Sequence, residues 1–405
     1  MLLDAPGHQG SNKRNMNRNL VKILNCYKAQ CASNSPKPCW IERSTALPYG
    51  INLHGYFLYE TGLGETARLL HNALSTQGID IAIKNIDIKN RPYENGLEHL
   101  MSKSLPYNFS MTICGLTALR GIRHQICAQK HNIVFFLWEL DKIPSKFVGY
   151  LKKFDTIWVP SNFIFQTLRE HGFDNVELVK PPIALPSLTP EFFNVTGTLK
   201  ILFYFDYDSY PKRKNPEAAV HAFKQAFPNG EDVSSTIKTR GTNDQGRKSW
   251  LAKQTSNDPR INVIDTLLSR NEISALIESH HVFLSLHRSE GLGLGCAEAL
   301  AAGNAVIATD YGGSAEFIGT STGFPVTWSP VQVGSEDYVL SGDSTWAEPS
   351  VDHATELLRS IYENPTDAKE RVKNGYNHLL ENHSFSATGL DMVNKLERLR
   401  NKNMK

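Results

Sequence analysis

The chain has 405 residues, and its 43 Lys and Arg against 41 Asp and Glu leave a formal net charge of only +2. This balance provides no global basic surface, so composition argues against nucleic-acid binding. The length exceeds what one hydrophobic core ordinarily supports, so we expect two domains. No apolar run is long enough to span a bilayer, and the first residues lack the apolar segment of a secretory signal, which predicts a cytoplasmic protein.

The six cysteines contain no CxxC pair. Cys26, Cys31 and Cys39 are close in sequence but lack zinc-ligand spacing and a matching histidine pair. Cys114 and Cys296 lie in apolar segments, which indicates core positions. Free thiols in a reducing compartment are the simple interpretation.

Residues 1–48 differ from the rest of the chain in charge. No Asp or Glu occurs from Ala5 to Ile41, whereas Lys and Arg recur there. Such a segment is typical of a loosely packed or disordered extension. Its basic character leaves a second interpretation open, an anchor on anionic lipid.

The next part of the chain alternates between strand and helix patterns. A strand at GINLHG is followed by a tight loop with Gly62 and Gly64 and then by helical spacing from Glu65. Further strands are predicted at residues 79–83, 109–114, 132–137 and 156–160, and a helix is predicted at residues 116–130. Because ligands bind beyond the carboxyl ends of parallel strands, Trp138 and Glu139 follow the strand NIVFFL at a favourable place.

A proline-rich stretch, residues 186–198, predicts a linker. A new series of strands and helices begins at Leu199, and Pro216 marks the start of one of its helices. Residues 328–349 form a polar stretch that we expect to be irregular, and two helices should follow it.

The stretch from His281 to Ile318 contains two apolar strands, each followed by a glycine turn and a helix. Glycines let the backbone approach a ligand, and a helix N terminus offers unpaired N–H groups to phosphate. Glu290 and Glu298 flank this loop, and carboxylates accept hydrogen bonds from sugar hydroxyls. The layout predicts a ligand with phosphates between two polyols, as in a nucleotide sugar. An ordinary doubly wound turn with two surface glutamates is the alternative.

The strings HRSEGLGL, AEA and AVIAT in this stretch resemble the E-x7-E region of retaining glycosyltransferases of family 4, which have the GT-B architecture. GLGETAR, FFLWEL, IWVPSNF and FDYDSYPKRKNP resemble the same family. The resemblance implies two doubly wound Rossmann-like α/β domains facing a cleft, with the last helix crossing back to the first domain. It divides the chain into the basic extension, an acceptor domain at residues 49–185, the linker, a nucleotide-sugar domain at residues 199–385, and a returning helix at residues 386–405.

The resemblance also implies roles for individual residues. Glu298 would bind the ribose hydroxyls and Glu290 a hydroxyl of the donor sugar, while Arg213 and Lys214 would neutralise the leaving diphosphate. The remaining donor contacts would come from the two glycine loops, namely Gly62, Gly64, Gly291, Leu292, Gly293 and Leu294.

Trp138 is a departure from the family, because relatives often carry histidine there. Trp138, Glu139 and His287 remain candidate contacts to the acceptor or the sugar. Asp206 to Asp208 is formally DxD, a metal motif of another glycosyltransferase architecture, but the order of strands and helices favours GT-B. We therefore expect no metal and no cofactor.

The predicted function is a retaining hexosyltransferase that uses GDP-mannose or a UDP-sugar and transfers the hexose to a glycan or lipid-linked acceptor, as in polysaccharide biosynthesis. Membrane contact, if any, would be peripheral. Two alternatives stay open: a nucleotide-sugar epimerase of the same fold, and a catalytically silent nucleotide-sugar-binding protein.

Overall fold

The computed structural model describes residues 47–122, 126–241 and 244–403. The predicted basic extension lies outside the described residues except for its last two positions. Among the described helices, none combines the length and apolarity needed to cross a membrane.

The first half of the described chain builds a six-stranded parallel sheet. Its strands are β1 (Ile51–Gly55), β2 (Ile81–Asn85), β3 (Phe109–Gly115), β4 (His131–Leu137), β5 (Thr156–Val159) and β6 (Val176–Leu178). The spatial order is β2-β1-β3-β4-β5-β6. The central strand β4 is buried along nearly its whole length, which explains its continuous apolar sequence, because a parallel strand is covered on both faces.

The second half builds a second parallel sheet of the same size. Its strands are β7 (Leu199–Tyr204), β8 (Val233–Thr239), β9 (Ile261–Asp265), β10 (Val282–Ser285), β11 (Ala305–Thr309) and β12 (Phe324–Val326). The spatial order is β12-β11-β10-β7-β8-β9, so the chain reverses direction of winding between β7 and β10. Ligands in such sheets bind at this switch point, beyond the strand ends.

Helices cover both sheets. They are α1 (Gly62–Ser75), α2 (Ser145–Leu151), α3 (Asn162–Glu170), α4 (Pro211–Lys214), α5 (Pro216–Ala226), α6 (Gln245–Ser256), α7 (Arg270–Glu278), α8 (Leu294–Ala301), α9 (Val351–Glu363), α10 (Pro365–His383) and α11 (Phe385–Asn403). Short 3-10 turns occur at Glu98–Leu100, Leu116–Ala118 and Gly312–Glu316.

The last helix, α11, returns from the second half to the first. Met392 and Leu396 are fully buried in the core that α1 forms with one face of the first sheet. The two helices approach so closely that a Cβ at Gly389 would lie 2.2 Å from the carbonyl oxygen of Ala73. The predicted fold class, two doubly wound α/β domains with a returning helix, is confirmed.

Two local predictions outside the site were wrong. The helix expected at residues 116–130 is only a 3-10 turn at Leu116–Ala118 within the described part of that stretch. The polar stretch expected to be irregular is an antiparallel hairpin, which we call the hairpin (residues 328–349), with strands β13 (Trp328–Gln332) and β14 (Thr345–Pro349). Val333, Tyr338 and Trp346 of the hairpin are buried in a core that belongs to the first half, and this burial orders the segment.

Candidate active site

The glycine loop after β10 lies directly against the first half of the chain. The Ser161 hydroxyl, which also caps α3, donates to the carbonyl oxygen of Gly291 at 2.9 Å. The Ser289 hydroxyl donates to the carbonyl oxygen of Glu139. A Cβ at Gly291 would lie 2.7 Å from the carbonyl oxygen of Trp138, so the glycine permits this close approach. The loop therefore sits where the carboxyl ends of both sheets meet.

The same loop presents a row of backbone donors. Gly293 adopts a left-handed conformation with φ +75° and starts α8. Within the described chain, the N–H groups from Gly291 to Gly295 have no acceptor. The N–H groups of a glycine turn and of the first helical turn that follows it can together bind an anion, so this row is a candidate phosphate site.

Arg213, Lys214 and Glu290 form one cluster beside these donors. Arg213 Nη1 lies 3.1 Å from Glu290 Oε1 and donates to the carbonyl oxygen of Ser289 at 2.9 Å. Lys214 Nζ bonds the same carboxylate oxygen. Burial opposes ionisation of Glu290, but Lys214 and Arg213 together lower its pKa to about 2. With Glu290 ionised, the two cations outnumber the carboxylate that they contact, so the cluster can accept an anion.

Helix α4 presents this basic pair, and two left-handed residues define its shape. Tyr210 precedes it with φ +52° and Asn215 follows it with φ +55°. Asparagine tolerates this conformation, whereas for tyrosine it costs on the order of 1–3 kcal/mol. Strain of this kind persists where surrounding contacts impose it, and it is often found at functional sites.

Glu298 is buried on α8, and the structure gives it a partner that sequence analysis did not identify. Arg270 Nη2 lies 2.7 Å from Glu298 Oε1, and Arg270 Nε lies 3.5 Å from Glu65 of the first half. The Tyr204 hydroxyl is 3.5 Å from Glu298 Oε2. Burial raises the pKa of Glu298, and Arg270 opposes this rise. The sequence could have indicated Arg270 by its position, because it begins α7 just beyond the carboxyl end of β9, where ligands bind in such sheets.

The predicted tight loop at Gly62 and Gly64 is instead the first turn of α1, which begins at Gly62 rather than at Glu65. The Thr61 hydroxyl accepts from the Gly64 N–H at 3.1 Å and caps the helix early. A Cβ at Gly64 would lie 2.2 Å from the carbonyl oxygen of Tyr59, whereas the space around Gly62 is open. Of the two glycines, Gly62 leaves room for a ligand.

The two candidate contacts that follow β4, Trp138 and Glu139, differ in burial and in hydrogen bonding. Trp138 is 2% exposed, and its indole N–H donates to the carbonyl oxygen of Lys142 at 2.9 Å. Its side chain therefore has no polar atom left for a ligand. Glu139 is partly exposed, and its Oε2 accepts from the Tyr338 hydroxyl at 2.6 Å.

His287 is fully buried, and both of its ring nitrogens have partners. Nδ1 bonds the Ser285 hydroxyl at 2.9 Å, and Nε2 bonds the Ser314 hydroxyl at 2.9 Å and the carbonyl oxygen of Tyr311 at 3.2 Å. Burial lowers the pKa of His287 to about 4, so the ring is neutral at physiological pH. A ligand contact by His287 would require one of these bonds to break.

Because His287 is buried in its neutral form, we expect the folded protein to lose stability in acid. Its folded pKa of about 4 lies below the ordinary value of 6.5, so its contribution is complete above pH 6.5 and is lost as pH falls toward 4. At pH 5 the lost contribution is about 2 kcal/mol. Urea unfolding at pH 7 and pH 5 should show a smaller loss for His287→Asn than for the wild type. The exposed His99→Gln variant should match the wild type, and an unchanged pH dependence in His287→Asn would contradict the assignment.

Asp206 of the DxD string is held by Arg240. Its Oδ2 accepts from Arg240 Nε at 2.7 Å, and Arg240 Nη2 donates to the carbonyl oxygen of Glu60 across the junction at 3.2 Å. No cluster of three metal-ligating side chains occurs among the residues described. Arg240 thus links the two halves, and Asp206 holds its guanidinium in place.

The second half of the chain matches a known family by sequence. Residues 199–378 match the family model described as Glycosyl transferases group 1, and this range contains Arg213, Lys214, Glu290 and Glu298. By sequence, no curated protein matches the chain.

Solved structures resemble the chain over most of its length. Sucrose-phosphate synthase from Thermosynechococcus elongatus is 15% identical with a TM-score of 0.66, over 88% of this chain and 100% of that chain. HepE from Anabaena, in complex with UDP-glucose, is 11% identical with a TM-score of 0.61, over 87% of this chain and 100% of that chain. TarM from S. aureus, in complex with UDP, alpha-GlcNAc-glycerol and fondaparinux, is 12% identical with a TM-score of 0.53, over 74% and 57% of the two chains. The fold is therefore that of the GT-B glycosyltransferases.

Proposed function

We propose that the chain is a retaining glycosyltransferase of family 4 that moves a hexose from a nucleotide sugar to a glycan or lipid-linked acceptor. The observation that carries the proposal is the row of unpaired N–H groups from Gly291 to Gly295, with Arg213 and Lys214 beside it. These groups provide a site for a diphosphate between two carboxylates that accept from hydroxyls.

The order of the donor along the site is proposed from the family resemblance, and the chemistry of each part supports it. Glu298 binds the ribose hydroxyls and Glu290 a hydroxyl of the hexose, while the N–H row and the two cations hold the diphosphate between them. GDP-mannose or a UDP-sugar fits this order, and the complex of HepE with UDP-glucose supports the UDP-sugar.

The chemistry depends on stabilising the departing diphosphate. Arg213 is 5% exposed, and a charge held in such a low-dielectric place interacts more strongly than in water and needs no reorganisation during the reaction. Glu290 already has two cationic partners, which makes it a poor nucleophile. We therefore favour same-face attack by the acceptor hydroxyl, whose proton passes to a donor phosphate oxygen, and this route retains configuration.

We propose that transfer needs no divalent metal, since Arg213, Lys214 and the N–H row supply the positive charge. Full transfer activity in EDTA would support this part, and restoration by Mg²⁺ or Mn²⁺ after loss in EDTA would refute it. The cytoplasmic location and a peripheral membrane contact stay predictions from the sequence.

One experiment separates the proposal from its alternatives. A thermal-shift panel of UDP, GDP, ADP and their sugars identifies the donor, and the purified protein is then incubated with that donor in the absence of acceptor. Slow release of nucleoside diphosphate and of free sugar, first seen by NMR as the retained anomer, supports a retaining transferase. Conversion of the sugar into its epimer identifies an epimerase, and binding with no turnover, including with acceptor mixtures, identifies a silent binding protein.

A further inference from the structure

The hairpin connects the two halves beside the site. On the first half, the Thr345 N–H and hydroxyl donate to Asp141 at 3.0 and 2.7 Å, and Lys142 Nζ lies 2.6 Å from Asp343 Oδ2. On the second half, Lys212 of α4 lies 2.6 Å from Asp337. The hairpin is therefore fixed to the end of β4 and to the helix that carries the basic pair.

Tyr338 is the hairpin residue that enters the junction. It is 6% exposed, and its ring centroid lies 5.7 Å from that of Trp138 and 4.6 Å from that of Tyr210. Its hydroxyl donates to Glu139 Oε2 at 2.6 Å, which fixes the carboxylate. Glu139 Oε1 has no partner within the described chain, so it remains able to accept a hydrogen bond from a ligand.

Tyr210 completes the group with an accessible ring. Tyr210 is 39% exposed although it packs against Tyr338, and it directly precedes the segment that presents Arg213. Burial opposes the charge of Arg213, but nearby groups raise the pKa of its guanidinium. The largest of these effects comes from Glu290, and smaller ones come from Glu139 and Tyr338. The carboxylate of Glu139 is thus within electrostatic range of the cation assigned to the leaving diphosphate.

We infer that Tyr210, Glu139 and Tyr338 form the acceptor subsite and that this subsite takes a sugar ring. The electron-rich face of Tyr210 stacks on the C–H face of a pyranose, and Glu139 Oε1 accepts from a ring hydroxyl. Tyr338 is a positioning residue, which orients Glu139 through its hydroxyl. This inference rests on the proposed function, and it narrows the acceptor to a glycoside rather than an acyclic alcohol.

The test measures transfer and donor hydrolysis in the same reactions, with the full chain and the donor found in the binding panel. Two acceptors are compared. The first is a mixture of the methyl pyranosides of glucose, galactose, mannose and N-acetylglucosamine, and the second, in a separate reaction, is glycerol at the same concentration of hydroxyl groups. The wild type should transfer to the pyranosides with saturation and should not saturate with glycerol. Absence of any donor hydrolysis would refute the proposed function itself, whereas hydrolysis with equal use of glycerol and pyranosides would overturn only the subsite.

Variants then test each residue by the ratio of transfer to hydrolysis. Tyr210→Leu should lower the ratio about fivefold while Tyr210→Trp retains it, because stacking needs an aromatic face. Glu139→Gln should lower the ratio about tenfold or more, since a charged acceptor is lost. Tyr338→Phe should raise the acceptor KM with little change in kcat, because only the orientation of Glu139 is affected.

Tyr376→Phe is the matched control, since it removes a hydroxyl from a buried tyrosine on α10, away from the junction. It should keep the wild-type ratio. If Tyr210→Leu and Tyr338→Phe also keep that ratio at wild-type melting temperature, the two tyrosines only anchor the hairpin and the inference fails.

Discussion

Replacing Arg213 and Lys214 together by alanine is expected to lower kcat for transfer by about 10³-fold or more while changing donor affinity much less. One preorganised donor that stabilises developing charge is typically worth about 10²–10³ in kcat. The two cations contact Glu290 in the absence of ligand, and the charge that they must stabilise develops only as the diphosphate leaves. Their effect should therefore appear in turnover, measured by steady-state kinetics together with calorimetric titration of the intact nucleotide sugar.

The double variant leaves Glu290 buried without a counter-charge, which can destabilise the fold by about 3–5 kcal/mol. Lys214→Ala alone avoids this problem because Arg213 still neutralises the carboxylate, and it should lose about 10²-fold in kcat. Lys224→Ala, on the following helix α5, removes a lysine that bonds Gln254 and should behave as wild type. An unchanged kcat in Lys214→Ala at normal melting temperature would refute the assignment of this lysine to the leaving group.

The strands and helices could be predicted from the sequence because their signals are local, whereas the two-domain architecture was implied by the family resemblance. Each strand–turn–helix unit carries its own apolar run and its own cap or glycine, as at Thr61 and Gly293. The failure at residues 116–130 has a similar local cause. Leu116, Leu119 and Ile122 are all buried at a spacing of three residues. This spacing suits successive tight turns as well as a helix, and periodicity alone does not separate the two.

The candidate site could be predicted only where the ligand determines the residue type. The glycine loop after β10 and its two glutamates follow that rule, whereas Arg213 and Lys214 were indicated by the family resemblance. The structure brings both cations onto Glu290. Arg270 and Tyr338 were missed because their partners, Glu298 and Glu139, are distant in sequence. Trp138 and His287 carry suitable chemistry in sequence, but burial and internal hydrogen bonds occupy their polar atoms.

Replacing Glu298 by glutamine is expected to weaken nucleoside diphosphate binding by about 10- to 100-fold, because hydrogen bonds to a charged group contribute about 1.5–3 kcal/mol. Glutamine keeps the size of the side chain but loses one acceptor and the charge. Calorimetry with the nucleotide found in the binding panel measures the change. Wild-type affinity in this variant would refute the ribose contact.

A loss of affinity alone does not prove the ribose contact, since Glu298→Gln also deprives Arg270 of its partner. The 2′-deoxy analogue of the same nucleoside diphosphate separates the two explanations. If Glu298 accepts from the ribose, the wild type should prefer the ribonucleotide and Glu298→Gln should bind both forms about equally. If Glu298 only holds Arg270, the preference should be the same in both proteins, and Glu298→Gln combined with Arg270→Gln should recover affinity. We expect the first outcome, because Glu298 lies one turn into α8, directly behind the row of N–H groups assigned to the diphosphate.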